Sequence, residues 1–196
     1  MNYPNGQGQS NVHKRVNKQE NTSFSNRGMT LEADINTTND FYLANDQAII
    51  HKKPTPVQIV KVNYPRRSAA VITEAYFKQA STTDYNGIYR MKHIDFEAKE
   101  TNYKTRFPLA NIHAHQIKHM ESVINHGGIC FLLIRFKPFD ETYFLKAEDL
   151  LPFWYRTLEG GRKSIPYKTI KEMGYTVPFH YLKRVDYLQI IDGLYF

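Results

Sequence analysis

One aspartate, one glutamate and one lysine stand in the pattern D-x12-E-x-K, and these residue types at this spacing suit chemistry on a phosphodiester. They are Asp84 in "STTDYNG" and Glu97 and Lys99 in "HIDFEAKET". Side chains alternate along a strand, so Asp95, Glu97 and Lys99 share one face, and Ile94, Phe96 and Ala98 take the other. In a hairpin, residues far apart in sequence lie side by side, and the spacing brings Asp84 against Glu97. Two adjacent carboxylates repel unless a divalent cation lies between them. Mg²⁺ prefers hard oxygen ligands and commonly takes one or two carboxylates with water and phosphate oxygens. Hydrolysis of a phosphodiester needs a cation to acidify water and positive charge for the transition state. Lys99, on the face of Glu97, supplies that charge. The competing reading is a solvated edge strand with alternating charges. Asp84 at hairpin distance and a basic ribbon beside it favour the chemical one. Asp95, nearer the turn, is expected to be solvated or to pair with Lys92, and Glu74 to be a plain sheet-face charge.

A second cluster invites a zinc reading and does not sustain it. His115 and His119 stand at i and i+4, but an H-E-x-x-H hydrolase needs a glutamate where this chain has Gln116. A single cysteine, Cys130 in "GICFLLIRF", is a poor basis for structural zinc and is expected to be a buried small hydrophobe. The histidines are expected to face solvent or phosphate. Gln116, with donor and acceptor atoms, can orient a metal-bound water from a neighbouring helix.

The elements that must position these groups follow from periodicity and punctuation. Thr30 caps a helix carrying Leu31, Ile35, Phe41 and Tyr42. "QAIIHKK", "TPVQIVKVNYP" and "AAVITEAYF" read as strands broken by prolines. From Gln47 to Thr73 there are five basic residues, Lys52, Lys53, Lys61, Arg66 and Arg67, and no acid, which marks an extended basic ribbon. "STTDYNGIYRMKHIDFEAKET" is a hairpin: a short strand at Gly87 to Tyr89, a turn at "RMKH" and a return strand from Ile94 to Lys99. "FPLANIHAHQIKHMESVINHGG" reads as one helix ended by Gly127 and Gly128. "GICFLLIRF" is a central strand, "ETYFLKA" its neighbour, and the remainder mainly helical. The order predicts an α/β fold, a mixed central sheet flanked by helices.

Bulk properties bound the rest. The 196 residues are 41% hydrophobic and 14% aromatic, enough for one domain with a sizeable core. Residues 1–28 are rich in Asn, Gln, Ser and Gly and carry Lys14, Arg15, Lys18 and Arg27 against Glu20 alone, the pattern of a disordered basic tail. The division expected is therefore a tail over 1–28 and a single domain over 29–196. A formal charge of +7 favours a polyanionic partner. No apolar leader and no run near the ~20 residues of a membrane span is visible. A cytoplasmic protein without a membrane partner is expected.

At this point the chain resembles a family. "SNRGMTLE", "IHKKPTPVQIVKVNYPRRSAAVITEAYFKQASTTDYNGIY", "IDFEAKET" and "GRKSIP" are similar to the RecU family of Holliday junction resolvases, over residues 23–196. The resemblance implies a restriction-endonuclease-like PD-(D/E)xK nuclease fold, here with "TTD" where the motif's proline would stand. It implies a magnesium site at Thr82, Asp84, Glu97 and Gln116, with Mn²⁺ as a substitute, and a catalytic lysine at Lys99. Spacing leaves open whether Thr82 or Thr83 faces the metal. It further implies a homodimer, a stalk over roughly 51–77, and DNA or partner contacts at Arg27, Lys52, Arg67 and Phe77, to which the basic ribbon adds Lys53 and Arg66. Symmetric nicks in four-way junction DNA during recombination and repair, leaving 5′-phosphates and 3′-hydroxyls, follow, with junction binding and strand annealing as accessory roles. Recombinase and branch-migration proteins are the implied protein partners. The rivals are a restriction-type DNase acting on linear duplex and a non-enzymatic junction-binding modulator of a recombinase.

Overall fold

The computed structural model describes residues 30–66, 69–78 and 82–196. The basic tail read over 1–28 lies outside them. Helix α1 (Leu31–Ala44) begins at Thr30, whose hydroxyl accepts the Ala33 N–H at 3.2 Å, as its sequence position predicts. Strand β1 (Ile49–Lys52) leads into a separate two-stranded antiparallel ribbon, β2 (Val57–Asn63) and β3 (Val71–Phe77). The expected hairpin is β4 (Tyr85–Tyr89) and β5 (Lys92–Thr101), paired Tyr85 to Phe96 through Tyr89 to Lys92. Its turn is tighter than "RMKH". Arg90 and Met91 alone form it, with φ of 45° and 61°, the two left-handed positions of a hairpin turn matched to strand twist.

β1 can lie against β4 because of Gly87. A Cβ there would stand 2.0 Å from the Ile49 carbonyl oxygen.

After β5 come β6 (Arg106–Pro108), a 3-10 turn over Leu109–Asn111, and α2 (Ala114–Asn125). The single helix expected over this stretch is thus half strand and turn. β6 pairs with β9 (Ser164–Pro166), a distant partner that no local periodicity announces. β7 (Ile129–Phe136) is parallel to β5, and β8 (Glu141–Lys146) is antiparallel to β7. Then follow α3 (Ala147–Leu158), β9, α4 (Tyr167–Met173), β10 (Tyr175–Val177) and α5 (Tyr187–Tyr195). β10 pairs with β8 in a region read as helical.

The main sheet runs β1-β4-β5-β7-β8-β10, the mixed sheet that the residue pattern predicts. Ile94, Phe96, Phe131 and Phe144 pack with α1 and α5 on one face. Cys130, Leu132, Ile134 and Leu145 pack with α2, α3 and α4 on the other. All eight residues of β7 are buried, because helices cover both faces of this central strand. Parallel strands cannot be joined by a tight turn, so the chain from β5 must cross over before β7 begins. That crossover lays α2 over the face of β5 that carries Asp95, Glu97 and Lys99.

Candidate active site

The hairpin brings together three of the residues singled out by spacing. The pairing of Tyr85 with Phe96 sets Asp84 beside Glu97, and the Asp84 N–H donates to Glu97 Oε2 at 3.1 Å. Lys99 Nζ lies 2.6 Å from Glu97 Oε1. Lys99 is thus the one cation against this buried oxygen among the described residues. Glu97 is fully buried, Lys99 is partly buried and Asp84 is half-buried. Burial pushes the Glu97 carboxyl up to about 7, the nearby Asp84 carboxylate pushes the same way, and Lys99 opposes both.

This arrangement fits a divalent cation. Two carboxylates adjoin, one of them fully buried and with an elevated affinity for protons. A cation between them would reverse the repulsion.

Asp95 departs from expectation. It is neither solvated nor paired with Lys92, but buried at 1% exposure beneath α2. Its Oδ2 accepts from Lys53 Nζ at 2.8 Å and meets His119 Nε2 at 3.1 Å, while its Oδ1 accepts from the Thr83 hydroxyl. His93 Nε2 lies 3.5 Å from the same Oδ2. The physical reason is tertiary: the crossover helix covers this face, and a carboxylate buried there needs ionic and hydrogen-bonding partners. His119, expected to face solvent or phosphate, is partly buried and turns its Nε2 to Asp95.

Lys53 belongs to the same cluster. Its Nζ also donates to the Thr83 hydroxyl at 2.9 Å, and its backbone N–H donates to the Asp84 carbonyl at 2.7 Å. The segment bearing Asp84 is thus held at side chain and main chain by the residue that opens the ribbon. Lys53, expected as a DNA contact, turns its ammonium inward to Asp95 and Thr83.

The two threonines also separate. The hydroxyl of Thr83 is committed to Asp95 and Lys53, whereas that of Thr82 makes a 3.3 Å contact to the Thr83 carbonyl. Gln116 is buried on α2, and its Oε1 accepts the His113 N–H at 3.0 Å, closing a capping box at the helix start. No hydrogen bond joins Gln116 to Asp84 or Glu97 among the described residues.

The remaining candidates lie on and near the ribbon. Lys52 is exposed and pairs with Glu32 of α1. Arg66 is exposed, and Phe77 is 84% exposed. Arg27 and Arg67 lie outside the described residues. Glu74 is an exposed ribbon charge that accepts from the Tyr76 hydroxyl at 2.8 Å. The Asp95 cluster was missed by spacing arguments; the one signal for it was Asp95 sharing the parity of Glu97.

Comparison with known proteins bears on this geometry. The family model described as Recombination protein U (RecU) matches residues 26–193. A protein of Oceanobacillus iheyensis, named Holliday junction resolvase RecU, is 67% identical over 196 residues, covering all of both chains. Proteins with the same name from Geobacillus kaustophilus and Bacillus subtilis are 55% and 56% identical, covering 98% and 95% of their own lengths. Among solved structures, Hjc of Archaeoglobus fulgidus, titled a Holliday junction resolvase from an archaeal hyperthermophile, aligns with 70% of this chain and 91% of its own. The TM-score is 0.39 at 10% identity.

Proposed function

This chain belongs to the RecU family, and from that premise and the polar face of β5 we infer that it is a Holliday junction resolvase, an endonuclease that cuts four-way DNA junctions with a divalent cation, Mg²⁺ or Mn²⁺, held by Asp84 and Glu97. The observation that carries the reading is the buried Glu97 carboxylate set between Asp84 and Lys99. High identity to full-length relatives named for this activity supports the substrate.

When bound, the cation lowers the pKa of a coordinated water and draws charge from the phosphate oxygens. The chain's own groups do the rest. Asp84 and Glu97 hold the cation in anionic form, which requires Glu97 to lose the proton its burial favours. Lys99, released from its ion pair, holds positive charge against the phosphate as negative charge develops. Thr82, with a hydroxyl outside the Asp95 cluster, and Gln116, from the start of α2, complete the ligand set that the family likeness implies. Lys53 and Asp95 position the Asp84 segment without touching the reacting atoms.

A four-way junction has approximate two-fold symmetry, so the acting form is a C2 homodimer with one site on each of two opposed strands. The ribbon, with exposed Arg66 and Phe77, serves as the stalk that engages the junction. Lys52 at its root, together with Arg27 and Arg67, completes the proposed DNA contacts. The product ends are a 5′-phosphate and a 3′-hydroxyl.

The deciding experiment incubates wild type and Asp84→Asn with a four-way junction and its matched linear duplex in Mg²⁺, alongside gel-shifts in EDTA. Wild type should nick opposed junction strands symmetrically, while the variant binds without cutting. Equal cleavage of the linear duplex would replace the resolvase reading with a general DNase. Binding by both proteins with cleavage by neither, under any divalent metal, would make the carboxylates structural.

A further inference from the structure

The small sheet of β6 and β9 brings together two parts of the chain that share one property. Residues 101–120 contain no Asp or Glu, and neither do residues 160–171. The pairing of Arg106 with Pro166 and of Pro108 with Ser164 sets them side by side. Further bonds hold the join: Tyr167 N–H to the Thr105 carbonyl at 2.9 Å, and Leu109 N–H to the Lys163 carbonyl at 3.1 Å. The result is an exposed group of Lys104, Arg106, Arg162, Lys163 and Lys168. Lys168 has a loose 3.8 Å contact to Glu172, and the other four form no ion pair among the described residues. Arg106 instead lies over the Tyr103 ring at 5.0 Å, and Arg162 donates to the Ser164 hydroxyl at 3.3 Å. Elsewhere among the described residues, Arg135 is neutralised by Asp34 and Lys52 by Glu32.

Position gives the charge its meaning. β6 lies in the chain between Lys99 and Gln116, and β9 joins it from residues 164–166. Lys104 follows Lys99 by five residues, which at full extension span at most about 17 Å. Duplex DNA advances about 3.4 Å per nucleotide of a strand. A strand whose scissile phosphate meets Lys99 and which runs toward this surface therefore reaches it within about five nucleotides.

We propose that the β6–β9 surface binds the phosphates of the duplex arm flanking the cut, through Lys104, Arg106, Arg162 and Lys163. It is separate from the ribbon, and it deepens the proposed function by assigning where an arm lies while the ribbon engages the junction. It rests on that reading for the scissile phosphate and on charge complementarity for the arm. Backbone phosphates carry no sequence, so this surface fixes register and contributes no base preference.

The test compares a Lys104→Ala, Arg162→Ala, Lys163→Ala variant with a charge-matched Lys92→Ala, Lys146→Ala, Lys183→Gln control, drawn from outside the two acid-free stretches, each binding a four-way junction in EDTA from low to high salt. Each lost phosphate contact should reduce the slope of log affinity against log salt by about 0.9. The first variant should lose two to three units of slope, and the control should keep the wild-type slope. Equal slopes for the two variants would overturn the proposal by reducing the effect to net charge. Cleavage at saturating protein in Mg²⁺ should stay within a few-fold of wild type, since these groups do not touch the reacting atoms; a complete loss of cleavage with unchanged slope would also count against it. The chain's single cysteine, Cys130, is buried, so Lys104→Cys carrying a photo-crosslinker reads placement directly. Crosslinks should fall within about five nucleotides of the cut on a duplex arm, on the geometry above. Crosslinks confined to the junction centre would overturn the assignment. Slope loss and arm crosslinks without cleavage by wild type would sink the nuclease reading while leaving this surface standing.

Discussion

Glu97 joins two properties that pull in opposite directions. Burial raises its carboxyl to about 7, yet holding a cation requires the anion. The folded, metal-free protein therefore binds more protons than the unfolded chain between the ordinary carboxylate range and about pH 7. Stability from this group is present at low pH and falls as pH rises through that window. Glu97→Gln should abolish cleavage. In EDTA it should be more stable than wild type at pH 8, by on the order of 2–3 kcal/mol, with the difference vanishing near pH 4. Thermal unfolding at the two pH values checks this, and a wild type more stable at pH 8 would contradict it. Mg²⁺ binding should release protons at pH 6, which calorimetry in buffers of different ionisation enthalpy measures. At Asp95 the logic is that of a buried ion pair. Lys53→Met should cost about 3 kcal/mol or more, because it leaves the carboxylate uncompensated, and the pair Lys53→Met with Asp95→Asn should cost less than the two singles summed. Junction affinity in EDTA should barely change, which an outward-facing Lys53 would not permit.

At the scale of elements, the site is a hairpin laid under a crossover helix, and its legibility divides along that line. Asp84, Glu97 and Lys99 could be read from spacing because β4 and β5 are consecutive and the two-residue turn sets their register. Asp95 could not, because only the return of the chain through α2 decides that its face is covered. For the same reason β6, β9 and β10 escaped notice. Each has three residues, too few to show a period, and each is made a strand by a partner far away in sequence. The fully buried β7, apolar but for Arg135, and the capped start of α1 were legible because their signals are local. Gly87 tests the hairpin's outer side. Gly87→Ala would drive a Cβ to 2.0 Å from the Ile49 carbonyl, so β1 must part from β4. A loss of about 3 kcal/mol or more is expected, with reduced cleavage, since β1 delivers Lys53 to the Asp84 segment.

Across the whole molecule, the six-stranded sheet with its helices is one packed unit, and the ribbon is appended to it. β2 and β3 pair with each other alone, and their outward Val57, Ile59, Val60, Val71, Ile72 and Tyr76 are all about half exposed or more. The ribbon's ends meet, with the Lys78 N–H donating to the Pro56 carbonyl at 2.9 Å. Replacing residues 57–77 by a two-residue turn should therefore leave the melting temperature within a few degrees of wild type. If the ribbon is the stalk, the same deletion should lower junction cleavage by at least tenfold while sparing linear duplex binding. An unfolded product would contradict the first expectation, and unchanged junction cleavage the second. A two-stranded ribbon with both faces open is marginally stable in water. Its amides should consequently exchange with deuterium orders of magnitude faster than those of β5 and β7, opening locally without disturbing the core. A junction seated on the ribbon would then be recorded as slowed exchange there, a reporter of engagement that needs neither cleavage nor metal.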